Sequence, residues 1–144
     1  MGFFSKMFGG NLISAAKAGD VGKVQEFLKN GSDPNELERG FSALMFACER
    51  GYTDIVKLLV EKGADVNAKV PGLALTPLMA ACSGKGFADE NSKDERGLDI
   101  AKILVGKGAE VNVVAKGGQT AKKFAADAGH EKIVRFLTES GANN

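Results

Sequence analysis

A single histidine, His130, and two cysteines, Cys48 and Cys82, are all that this 144-residue chain offers of the side chains most used to bind transition metals or attack substrates. One histidine and two separated cysteines cannot assemble a zinc site of the usual ligand set. The same scarcity speaks against an enzyme, because a catalytic imidazole needs an oriented partner beside it. No phosphate-binding loop is present: Gly84-Lys85-Gly86 and Lys116-Gly117-Gly118 lack the spacing and suit turns. Asp89, Glu90, Asp94 and Glu95 lack the spacing of a calcium loop and are interleaved with Lys93 and Arg96, so a solvated loop is expected there. Neither cofactor nor metal is expected. Charge of one sign is not in excess, at a formal net +1, so no bulk pull toward nucleic acid is expected. No apolar run is long enough to span a bilayer and no signal-peptide pattern is visible, which makes a cytoplasmic protein the expectation.

What the chain does have is concentrated in residues 42–67, SALMFACERGYTDIVKLLVEKGADVN. Ser42 suits an N-cap, since its hydroxyl can accept an orphan backbone N–H of the first helical turn. An apolar helix over Ala43–Arg50 follows and ends at Gly51, a residue that tolerates positive φ. Ile55, Val56, Leu58, Leu59 and Val60 then mark one face of a second helix, closed by Gly63. Neither helix is long enough to be stable alone in water. The pair carries apolar surface on both sides and so requires neighbours.

The neighbours are copies. Thr76-Pro77-Leu78-Met79-Ala80-Ala81 repeats Ser42-Ala43-Leu44-Met45-Phe46-Ala47 at a shift of 34 residues, and Thr120-Ala121-Lys122-Lys123-Phe124-Ala125 follows 44 further on. The second-helix pattern recurs at Asp54, Asp99 and Lys132, and Gly63-Ala-Asp-Val-Asn recurs at Gly108 and, shortened, at Gly141. A weaker first copy has Gly19 for Gly51 and Gly31-Ser-Asp-Pro-Asn for Gly63-Ala-Asp-Val-Asn. A period near 33 with two helices per unit is the signature of a stacked helical array. These residues resemble the ankyrin repeat, with G-x-T-P-L-H-x-A-A near the start of each unit and G-H-x-x-I-V-x-L-L-x-x-G-A-D-V-N near its end. The resemblance implies an all-α solenoid of stacked helix-turn-helix units with short hairpin-like fingers, over about residues 11–144. The repeats divide at about 11–40, 41–74, 75–118 and 119–144.

Cys48 and Cys82 occupy equivalent places in adjacent repeats, where helices about 8–10 Å apart are too distant for a disulfide, so both are expected to fill small buried slots. The resemblance gives His130 a hydrogen-bonding role at the start of a second helix. Met45, Met79 and Lys123 stand where the motif has its T-P-L-H histidine, exchanging a polar inter-repeat link for flexible packing. Lys122, where Leu44 and Leu78 stand in earlier repeats, suits the polar outer face of a terminal repeat. Eleven residues are inserted between the helices of the third repeat, within residues 83–97, as a polar loop that is either passive or functional.

Residues 1–10, MGFFSKMFGG, stand apart. Phe3, Phe4, Met7 and Phe8 fall on one face of a short helix, followed by a Gly9-Gly10 hinge. Three readings are open: a cap on the first repeat, a disordered leader, or an anchor on a membrane surface or partner through Phe3, Phe4 and Phe8. A myristoylation signal is not met, because Lys6 stands where Ser or Thr is needed.

By the resemblance, fingers and first helices line a concave binding face. On this chain that face comprises Glu38, Arg39 and Phe41 of the first finger, Val70, Leu73 and Leu75 of the second, and Lys116 and Gln119 of the third. The first helices add Glu49, Arg50, Ser83 and Asp127. Apolar anchors beside charged groups suit a protein partner. The expectation is a monomeric, non-enzymatic protein–protein interaction module; the alternative is a membrane-peripheral scaffold standing on residues 1–10.

Overall fold

The computed structural model of the chain describes residues 9–84 and 93–143, without the side chains of Lys93 and Asp94. The three readings of the N-terminal segment, Phe3, Phe4 and Phe8 included, therefore lie outside the described residues, as does the middle of the insertion. Each repeat contributes a helix pair: α1 (Leu12–Ala18) with α2 (Val21–Lys29), α3 (Ala43–Arg50) with α4 (Thr53–Glu61), α5 (Pro77–Ser83) with α6 (Lys93–Gly106), and α7 (Ala121–Asp127) with α8 (Glu131–Glu139).

The first helices begin where a small polar side chain can accept a backbone proton. Ser42, Thr76 and Thr120 each accept from the N–H three residues on, at 3.3 Å in every case. Asn11 and Ser14 form a reciprocal capping box at 2.8 and 2.9 Å. Pro77 sits at the first helical position, where its missing N–H has no partner to lose. The second helices end alike: Gly63, Gly108 and Gly141 take positive φ, and the following alanine N–H reaches the carbonyl five residues back at 2.9 Å. That is the Schellman closure, which satisfies the carbonyls the helix leaves orphaned.

Packing follows from the repeat. First helices stack in one row, α1 to α3 to α5 to α7, and second helices in another, α2 to α4 to α6 to α8. Ile55 and Leu59, Ile100 and Leu104, and Ile133 and Leu137 are i, i+4 pairs buried completely at the same register of successive second helices. Each such side chain contributes about 1.5–3 kcal/mol by leaving water. Between first helices the buried residues are small, Ala47, Cys48, Ala81, Cys82 and Ala125, which lets the backbones approach closely.

An asparagine clip joins each unit to the next. Asn35, Asn67 and Asn112 donate through Nδ2 to the carbonyls of Gly63, Gly108 and Gly141, all at 3.0 Å. Through Oδ1 they accept from the backbone of Asp65, Glu110 and Asn143 at 2.7–2.8 Å. The recurring Asn of the Gly-Ala-Asp-Val-Asn segment is thus a stitch between repeats.

The first finger is a hairpin, β1 (Leu37–Glu38) against β2 (Phe41–Ser42), with Leu37 opposite Ser42 and Glu38 opposite Phe41. Its two turn residues, Arg39 and Gly40, have φ of 53° and 88°. Positive φ at both positions is the type I′ turn that matches strand twist. The second finger closes through Val70 N–H to the Leu75 carbonyl at 2.9 Å, and the third through Ala115 N–H to the Gln119 carbonyl at 2.8 Å. Lys116 N–H donates to the Leu73 carbonyl at 2.9 Å, so neighbouring fingers are tied backbone to backbone.

One detail departs from the sequence reading and a second refines it. Residues 93–97, assigned above to the inserted loop, form the first turn and more of α6, which runs for 14 residues where α4 and α8 have 9. His130 stands at the N-cap of α8, where its side chain makes no capping bond to the helix. Its ring instead lies over Gly84, where a Cβ would come 2.4 Å from Nε2, as the ring of Tyr52 lies over Gly19 at 2.8 Å. Both aromatic residues follow the glycine that ends a first helix, so the chain places a ring on the helix end of the preceding repeat.

Candidate protein-binding groove

A cleft of about 160 Å³ opens where the fingers meet the first helices. Phe41 and Leu75 wall it from the fingers, Met45, Met79 and Ala80 form its apolar floor, Phe124 closes its far side, and Glu49, Thr76 and Ser83 complete the lining. Its position follows from one register of the repeat. Repeats two and four carry Phe46 and Phe124 four residues after the N-cap, and repeat three carries Ala80 there. An alanine between two phenylalanines leaves a gap one side chain deep.

The binding residues expected from sequence divide into those the cleft gathers and those it does not. Phe41, Glu49, Leu75 and Ser83 line it together. Phe41 also packs against Phe46 with ring centroids 5.8 Å apart at 39°. Glu38 pairs with Lys17, whose ammonium stands 4.6 Å from the centre of the Phe46 ring. Leu73, 42% exposed, stands on the second finger, and Arg39 and Lys116 are exposed on the first and third. Gln119 is half-buried at the foot of the third finger. Asp127 is exposed and held by Lys123 at 2.8 Å.

Two of the expected residues have other work. Val70 is only 4% exposed: it forms the base of the second finger, and its side chain lies beside Gly40 of the first. The residue read as a contact is a packing residue, because the finger turn folds it inward. Arg50 is half-buried and engaged within the stack. Its Nη1 donates to the Lys17 carbonyl at 2.7 Å, satisfying an end group of α1 from the next repeat.

Sequence reasoning missed the cleft floor. Met45 and Met79 are 4% and 2% exposed yet line the cleft, and their place in the T-P-L-H segment was the available signal. Phe124 was legible as the only large apolar residue of α7. Lys17 and Phe46 belong to the same face and meet across 29 residues of sequence, which no local pattern reveals.

Among the described residues Glu49 is the only titratable side chain in the cleft lining, so none of them forms an acid–base pair there. Both thiols lie elsewhere, unpaired and buried, between the first helices. Burial pushes the Cys82 thiol up to about 12 and the Cys48 thiol higher still, with Cys82 adding to the effect on Cys48. Neither is a nucleophile at neutral pH, since reactivity follows the thiolate. Among the described residues no three His, Cys, Asp or Glu side chains gather as metal ligands, and no helix is long and apolar enough to cross a membrane.

Comparison with known proteins agrees with this architecture. Residues 12–113 match the family model described as ankyrin repeats in three copies, and α7 and α8 continue the pattern beyond it. An armadillo ankyrin repeat, SAM and basic leucine zipper domain-containing protein 1 (Dasypus novemcinctus) is 31% identical over 129 residues, 89% of this chain and 25% of that protein. A mouse 2-5A-dependent ribonuclease (Mus musculus) is 40% identical over 73 residues, 49% of this chain and 10% of its own length. The nematode ankyrin repeat and KH domain-containing protein mask-1 (Caenorhabditis elegans) is 39% identical over 72 residues, 50% of this chain and 3% of that protein. The chain thus spans a quarter or less of these relatives. With its helix pairs, asparagine clips and linked fingers in register with that match, the chain belongs to the ankyrin repeat family.

Proposed function

We propose that this protein is a non-enzymatic interaction module that holds a protein partner on the face formed by its fingers and first helices. The observation that carries the reading is the apolar cleft over Ala80, whose half-buried Phe and Leu walls stand above a buried Met floor and are flanked by polar groups. Interfaces have this composition, with apolar centres, polar rims and aromatic anchors. Membership of the ankyrin repeat family supports it, since such arrays generally serve as protein–protein interaction modules. The partner is taken up by the monomer.

Leu75→Asp tests the reading. It places a carboxylate on the cleft wall at a half-buried finger position, outside the helices that hold the fold. Affinity capture from the source cell should lose the specific partner while the far-UV circular dichroism spectrum stays native. Retention of the partner by the Leu75→Asp chain would move the binding face elsewhere.

A membrane-surface foot in residues 1–10 is the second reading, supported by the spacing of Phe3, Phe4 and Phe8 alone. Liposome co-sedimentation of the full chain and of a form lacking residues 1–10 decides it; equal binding by both removes the foot.

A further inference from the structure

One register of the first helices is filled in turn by Lys17, Glu49, Ser83 and Asp127, one residue per repeat. Three of the four are compensated. Lys17 is paired with Glu38 and lies over the Phe46 ring. Asp127 is paired with Lys123 at 2.8 Å, and the Ser83 hydroxyl donates to the Ala80 carbonyl at 2.9 Å. Glu49 makes no hydrogen bond or ion pair with any of the described residues, although it is half-buried. It stands in the wall of the apolar cleft. Among the described residues the row therefore leaves one charge uncompensated, in the lining of the apolar cleft.

We propose that the cleft takes a basic, apolar segment of the partner protein, seating one large aliphatic or aromatic side chain between Phe41, Leu75 and Phe124 and pairing an adjacent Arg or Lys with Glu49. This rests on the protein-binding reading above and gives it a chemical identity. The volume, about 160 Å³, suits a single side chain. It is near the size of cavities that hold one benzene ring and well below the clefts of small-molecule ligands. Met45 and Met79 make the floor soft, so the apolar group can vary in shape. The charge cannot vary. An acidic partner would set two carboxylates against each other in a half-dry site, whereas a cation gains a charge-assisted hydrogen bond there. The Phe41 and Phe124 rings beside Glu49 favour a cation further, through their negative faces.

Selection from a phage-displayed library of random short peptides, with the full chain as bait, tests this directly. Peptides recovered on the native chain should pair an Arg or Lys with a neighbouring Leu, Met, Phe or Tyr. Glu49→Gln should weaken a selected peptide about tenfold, the scale of one charge-assisted hydrogen bond. Glu49→Lys should abolish its binding, and exchanging the peptide's base for Glu should restore it. Recovered peptides without basic enrichment, or basic peptides indifferent to Glu49→Lys, would overturn the inference. The Leu75→Asp chain separates the two levels of the argument. Loss of all selected peptides on it, with Glu49→Lys without effect, keeps the groove and rejects the cationic occupant. Undiminished binding to Leu75→Asp, or no peptide recovered on the native chain, rejects both.

Discussion

Gly19 and Gly84 each end a first helix in the left-handed region, at φ of 72° and 62°, and each lies under a ring of a later repeat. Two demands meet at one atom: a side chain would be strained by the backbone, and its Cβ would enter Tyr52 or His130. Gly19→Ala should therefore destabilise the protein by about 1–3 kcal/mol, read from urea denaturation, because an alanine is strained at that φ and also meets the ring. Adding Tyr52→Ala should recover the steric part and leave the backbone part, so the two changes will not be additive. The thiols make a second residue-scale case. Folding raises the Cys82 pKa from 9.0 to about 12, so the folded state disfavours the thiolate. The associated stability is complete below the unfolded value of 9.0 and is lost as pH rises toward 12. Unfolding free energy should fall across that alkaline window, and Cys48→Ala, Cys82→Ala should flatten the fall. At pH 8 a thiol reagent such as Ellman's should label the native protein only at the rate at which it opens.

At the scale of the element, the asparagine clips decide how firmly one repeat holds the next. Asn67 makes two inter-repeat hydrogen bonds, each contributing about 0.5–1.5 kcal/mol net. Asn67→Ala, in the middle of the array, should lower global stability by about 1–3 kcal/mol in urea. Asn112→Ala breaks the same bonds at the last interface, and should mainly speed amide hydrogen exchange in α7 and α8. A uniform increase in exchange along the whole chain in Asn112→Ala would argue against independent interfaces. Elements were also what the sequence displayed best. Ser42, Thr76 and Thr120 marked helix starts and Gly51 and Gly63 their ends, because a cap is decided by residues within one turn of it. The helical part of the insertion was hidden for the opposite reason. Lys93-Asp-Glu-Arg-Gly has no apolar face of its own and is helical as the leading end of α6.

The whole molecule adds what no single repeat contains. The cleft over Ala80 needs Phe41 from one finger, Leu75 from the next and Phe124 from the last repeat, residues that a linear reading keeps apart. Arg50, expected from sequence on the binding face, meets the Lys17 carbonyl only because stacking sets the two repeats side by side. Stacking also makes stability a sum of units and interfaces, and truncation exposes that sum. A chain ending at Gly118 loses α7 and α8, which cover α5 and α6. It forfeits the buried Ile133 and Leu137, each contributing about 1.5–3 kcal/mol, and leaves the apolar sides of α5 and α6 in water. The truncated protein should bind the dye ANS and melt in two stages, with α5 and α6 opening before α1 to α4 in hydrogen exchange. It should also lose partner capture, since Phe124 goes with the last repeat. A single cooperative transition at the native midpoint would mean that the fourth repeat adds nothing to the stack. The strong gradient expected instead, from a firm N-terminal half to a loosened third repeat, is what nearest-neighbour packing in a linear array requires.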